Sequence, residues 1–120
     1  MYPASMIARV YVKGSLRNTG DGFAFDLKNN IDSTSLTGFG PVKVGGKIYE
    51  GAALTVVVKD KEYKGDALGR SSSVYFWVGL SVTVKVTGEA LPVGENKISV
   101  SAVSSDVGRV TFEFTDTVPA

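Results

Sequence analysis

Ser81-Val-Thr-Val-Lys-Val-Thr87 alternates apolar and polar residues without a break. A period of two puts Val82, Val84 and Val86 on one face of an extended chain and Ser81, Thr83, Lys85 and Thr87 on the other, the signature of a strand with one dry and one wet face. The pattern recurs in both directions along the chain. Phe23, Phe25 and Leu27 share a face, as do Leu54, Val56 and Val58, then Ile98 with Val100, and finally Val110, Phe112 and Phe114. Met6, Ala8, Val10 and Val12 extend it to the N-terminal segment, so residues 6–13 also read as a strand. Gly, Asn, Asp and Pro punctuate the runs at short intervals, and no helical stripe of any length intervenes. This spacing predicts an all-β fold, an antiparallel β-sandwich of about nine short strands, as one domain over residues 1–120. Val10, Phe25, Val56, Phe76, Val84, Val100 and Phe112 are the expected core.

The connections can be read from the same residues. Gly45-Gly46, between Pro41-Val-Lys-Val44 and Lys47-Ile-Tyr49, suits a tight hairpin, because glycine supplies positive φ at no steric cost. Residues 15–22 read as a turn, 29–40 as a long polar connection between sheets, 59–62 as a charged turn, and the Gly- and Ser-rich residues 65–73 as a mobile loop where function could sit. Residues 74–78 are apolar on both faces, with Val74, Phe76 and Val78 on one and Tyr75 and Trp77 on the other. Such a strand is expected to be covered twice. Tyr75 and Trp77 are therefore the candidate interface or ligand-surface residues. Core packing, a protein interface and the stacking of a sugar ring are the three readings open to them.

Composition narrows the functions available. The chain has no histidine and no cysteine. It thus lacks a side chain that ordinarily titrates near neutrality, a thiol nucleophile, and the two commonest transition-metal ligands. Thirteen Lys and Arg against 12 Asp and Glu give a formal charge of +1, with the signs interspersed. No electrostatic case exists for a nucleic-acid or membrane partner. No apolar run approaches the length of a membrane span and no secretory signal is visible, so a cytoplasmic protein is expected.

Three carboxylate groupings merit a test as metal sites: Asp21 with Asp26, Asp32 near Asn29 and Asn30, and Asp60 with Glu62 and Asp66. None has the Asp-x-Asp-x-Asp-Gly order of a calcium loop, and Lys59, Lys61 and Lys64 surround the last. Gly38-Phe-Gly40 and Gly45-Gly46 do not fit a phosphate loop and read as turn glycines. Ser71, Ser72 and Ser73 have no evident base beside them. The residues thus point to no catalytic site, no metal site and no cofactor on this chain.

Several segments in order carry a family resemblance. They are Ser15-Leu-Arg-Asn18 with Gly22-Phe-Ala-Phe-Asp-Leu27, Val42-Lys-Val-Gly-Gly-Lys-Ile-Tyr49, Glu62-Tyr63, Phe76-Trp-Val-Gly79, and Leu91-Pro-Val-Gly-Glu-Asn-Lys-Ile-Ser-Val100. Across residues 15–114 the chain resembles the small β subunit of the bacterial C-glycoside deglycosidases. It departs from that pattern near its end, where Phe112-Glu-Phe-Thr-Asp116 replaces a Leu-Arg and Tyr-rich segment. The resemblance implies an all-β subunit bound to a larger, metal-dependent, sugar-active subunit that carries the catalytic residues of a C-glycoside-cleaving lyase.

The expectation is accordingly a non-catalytic accessory or assembly subunit, with an enzyme subunit or further copies of itself as partner. The alternatives are a carbohydrate-binding or lectin-like module, for which a sugar is the ligand, and a self-associating structural β protein. An autonomous hydrolase working with carboxylates alone is a further reading, since acid–base pairs can operate without histidine.

Overall fold

A computed structural model describes residues 7–69 and 72–119. The chain forms an antiparallel β-sandwich of ten strands rather than nine. They are β1 (Arg17–Thr19), β2 (Gly22–Lys28), β3 (Thr34–Val44), β4 (Lys47–Tyr49), β5 (Leu54–Val58), β6 (Lys61–Lys64), β7 (Val74–Phe76), β8 (Ser81–Thr87), β9 (Gly94–Ser104) and β10 (Gly108–Val118). One sheet has the order β1-β2-β8-β5-β6 and the other β10-β9-β3-β4, with β7 paired to the first residues of β3. Short 3-10 turns stand at Ala8–Val10, Gly51–Ala53 and Gly65–Ala67.

Register aligns the apolar faces into rows. In the first sheet Phe25 pairs with Val84 and Val84 with Val56. In the second, Val42 pairs with Val100 and Val100 with Phe112. Phe25 and Phe114 meet edge to face across the sandwich with centroids 5.2 Å apart. All seven expected core residues are buried. Each such side chain contributes about 2 kcal/mol by leaving water, so the rows are the main stabilising element of the fold.

Four local expectations are corrected. The described part of residues 6–13 is not a regular strand. A 3-10 turn at Ala8–Val10 leads into Tyr11, which bridges to Leu27 and lays its ring on Phe114 at 3.6 Å, stacked. Alternation survives because Val10 and Tyr11 close one side of the sandwich; Met6 lies outside the described residues. Residues 15–22 hold a strand as well as a turn, since β1 pairs with β2 around Gly20 and Asp21. The connection between sheets is confined to residues 29–33, because β3 begins at Thr34 and runs for 11 residues. Two register shifts in β3, near Gly38 and Gly40, explain its irregular apolar pattern, so these are strand and bulge glycines rather than turn glycines. Lastly, only Lys59 and Asp60 turn the chain at the charged segment, and Lys61–Lys64 is β6.

The Gly45-Gly46 hairpin is formed as expected: Val44 pairs with Lys47, and the glycines have φ of 55° and 85°.

Candidate interaction surface and inter-sheet cavity

β7 is an edge strand of three residues. Val74 and Phe76 point inward and are buried, whereas Tyr75 is 57 % exposed on the outer face. The chain then turns through Trp77 and Leu80, whose N–H donates to the Trp77 carbonyl at 3.0 Å, with Gly79 at φ 96°. This turn leaves Trp77 36 % and Val78 53 % exposed. The expectation of a strand covered on both faces therefore fails. In a two-sheet sandwich no further layer lies over a strand's outer face, and Trp77 and Val78 lie beyond the strand. The Tyr75 and Trp77 rings lie 6.0 Å apart, and the Lys59 ammonium sits 5.4 Å from the Trp77 ring centre. The structure brings the two sequence-predicted residues together as one aromatic surface.

Asn29 sets the geometry beneath this surface. It is buried, and its amide nitrogen donates to the carbonyls of Phe76 at 2.7 Å and Asp32 at 2.8 Å, while its side-chain oxygen accepts from the Ile31 N–H at 3.1 Å. Its backbone is engaged too, donating to the Leu80 carbonyl and accepting from the Gly79 N–H. One side chain thus fastens the β2–β3 crossing to the end of β7. Sequence reading weighed Asn29 only as a neighbour of Asp32; its place at a strand end before Asn30 and Asp32 is a turn signal that could have marked it.

Between the sheets, beside the same crossing, lies a cavity of 390 Å³ that is half open to solvent. Val10, Leu27, Leu36, Phe39, Phe76 and Phe112 form its apolar walls, and Asp32 and Asp106 add carboxylates to its lining. No sequence signal marks it, because its walls come from segments far apart in the chain.

On the side of the sandwich closed by Tyr11, the Tyr11 hydroxyl donates to Asp116 Oδ2 at 2.5 Å, and the same oxygen accepts from the Gly14 N–H at 2.6 Å. Burial, and then the hydrogen bond to Asp116, push the Tyr11 hydroxyl up to about 12. The hydrogen bond from Tyr11 holds the Asp116 carboxyl below its ordinary range, with the N–H groups of Gly14 and Thr117 adding to the effect.

The carboxylate groupings do other work. Asp26 accepts from Thr83 at 2.8 Å and pairs with Arg17 at 3.4 Å, Asp21 accepts from Thr19, and Glu62 pairs with Lys85 at 4.0 Å. No group of three or more acidic side chains among the described residues is placed to hold a metal ion. Of the Gly- and Ser-rich segment, Arg70 and Ser71 lie outside the described residues, and Gly69 bridges to Ser72. No helix among the described residues is long and apolar enough to cross a membrane.

Fold and surface together define an all-β sandwich domain whose outward features are an aromatic sheet edge and an inter-sheet cavity. The sequence model of the hydroxymethylglutaryl-CoA reductase N-terminal domain matches residues 6–119, and the chain belongs to that family. No curated protein sequence matches it. The family assignment overturns the resemblance to the deglycosidase β subunit, and with it the sugar-active complex, the C-glycoside-cleaving lyase and the role in carbohydrate metabolism. The segments behind that resemblance are structural necessities: the Gly45-Gly46 hairpin, the Gly79 turn and the Pro92-to-Gly94 approach to β9. Turn residues of this kind occur at the connections of unrelated sandwiches, so they carry fold rather than function.

Proposed function

We propose that this chain is a non-catalytic domain of a hydroxymethylglutaryl-CoA reductase, and that Tyr75, Trp77 and Val78 pack it on the part of the enzyme that carries the chemistry. The supporting observation is the exposed aromatic edge at β7, where amphipathic rings, an adjacent Val and an unpaired strand edge form one surface. The family name points to a larger enzyme, and hence to a protein partner; a sugar ligand has no support from it. A reductase must also hold a hydride donor. Nicotinamide dinucleotides are commonly held at a Gly-rich turn from a strand into a helix, and the described strands here are joined by hairpins, loops and three-residue 3-10 turns. The described residues offer no such turn, and a chain without histidine or cysteine supports the reading that the chemistry lies elsewhere.

Trp77 is the single tryptophan of the chain, so its emission reports on this surface directly. Sedimentation of the chain with the catalytic part of the reductase from the same source should show a stoichiometric complex, with a blue shift of Trp77 emission. Replacing Trp77 by Ser removes the reporter, so Tyr75→Ser is the variant for fluorescence and the double variant is for sedimentation. Loss of one buried ring at such a centre costs about 2 kcal/mol, a weakening of roughly thirtyfold. Failure of the two proteins to associate, or self-association of this chain through the same surface instead, would remove the reductase partner from the proposal.

A further inference from the structure

The inter-sheet cavity is half open to solvent, and most of its lining is apolar. Its buried polar lining groups are engaged with the protein. Asn29 makes the three side-chain hydrogen bonds already described, and the Thr34 and Ser104 hydroxyls share one at 2.6 Å. Ser104 Oγ also accepts from the Asp106 N–H, and Ser33 Oγ accepts from the Val78 N–H at 3.0 Å. Among the described residues no buried side-chain nitrogen or oxygen lacks a partner. Such walls offer a guest apolar contact and, at depth, no unpaired hydrogen-bonding group, so the buried part of a guest has to be hydrocarbon.

Size and charge narrow the guest further. An apolar cavity of about 150 Å³ accommodates benzene, so by proportion 390 Å³ accommodates a hydrocarbon of roughly fifteen carbon atoms at most. Asp106 belongs to the lining, and among the described residues no Lys or Arg does. A carboxylate head would meet like charge there, whereas a hydroxyl or ammonium head would be attracted.

We propose that the cavity is a binding site for a small aliphatic molecule headed by a hydrogen-bond donor, an alcohol or amine, with its chain between Phe39, Phe76 and Phe112 and its head at Asp106. This site is independent of the aromatic edge, since Tyr75 and Trp77 do not line it.

The test uses the full chain with octan-1-ol, octylamine and octanoate as probes, followed by amide NMR and thermal denaturation. Octanol and octylamine should shift the amides of Leu36, Phe76 and Ala102 saturably and raise the melting temperature, with Trp77 emission unchanged. Octanoate should bind about tenfold more weakly or not at all. Asp106→Lys, at an exposed position, should invert the preference between amine and carboxylate while leaving octanol binding in place. Val107→Trp, at the partly exposed rim, should block all three. The absence of saturable shifts in the folded chain would overturn the proposal, as would shifts confined to the Tyr75 surface or binding indifferent to both variants.

Discussion

Gly22 shows how closely single residues are constrained in this sandwich. It opens β2 opposite Thr87, and a Cβ built on it would lie 1.9 Å from the Val86 carbonyl oxygen. That oxygen belongs to the backbone of β8, so it cannot move without shifting the strand. Gly22→Ala should destabilise the fold by about 2 kcal/mol or more, measured by urea denaturation. Tyr11 and Asp116 form a second constraint, and its pH dependence is two-sided. The Asp116 carboxyl is lowered from 3.8, so its contribution is complete above that value and lost as pH falls through the lower folded value. The Tyr11 hydroxyl is raised from 10.0 to about 12, so its contribution is complete below pH 10 and lost as pH rises through about 12. Urea midpoints should be level between these limits and fall outside them, and Tyr11→Phe should diminish both limbs. A midpoint in Tyr11→Phe with the wild-type dependence would show that the hydrogen bond contributes nothing to stability.

At the scale of elements, the decisive contact is the crossing from β2 to β3. It is short, and its order depends on Asn29 rather than on apolar packing. Asn29→Ala would leave the Phe76 and Asp32 carbonyls and the Ile31 N–H without their side-chain partner. Loss of buried hydrogen bonds of this kind should cost about 2 to 4 kcal/mol. Because Phe76 ends β7, the expected signature is local: amide exchange should accelerate first in residues 29–36 and 74–80. Uniform acceleration across both sheets would mean that Asn29 supports the whole sandwich instead of this corner. β8 behaves differently, since Val82, Val84 and Val86 are all buried between paired neighbours and its buried face follows from alternation alone.

For the molecule as a whole, the aromatic edge and the cavity lie on opposite consequences of one arrangement. β7 covers part of the inner space with Val74 and Phe76, which puts Tyr75 on the outer face of the sheet and leaves Trp77 in the exposed turn that follows. Phe76 is a wall of the cavity while its neighbours belong to the surface. A double Tyr75→Ser, Trp77→Ser variant should therefore abolish association with the reductase part while leaving the melting temperature and octanol binding close to wild type. Loss of the fold in that variant would assign the rings to packing within the chain.

Much of this molecule was determined by sequence alone. Strict alternation in residues 81–87 and its echoes around Phe25, Val56, Val100 and Phe112 settled the strands and the core, because a two-residue period allows one assignment of faces. The Gly45-Gly46 turn was equally legible, since few other residues take its backbone angles. Residues 6–13 and 29–40 misled because alternation also arises where a chain closes the side of a sandwich, and because bulges break alternation within a true strand. Tyr75 and Trp77 could be selected from the sequence, but their exposure could not, for it depends on whether another layer packs over the outer face of β7 and on where that strand ends. The cavity, the role of Asn29 and the Tyr11–Asp116 contact were decided only by tertiary structure. Each joins residues distant along the chain, and periodicity carries information only about neighbours within one strand.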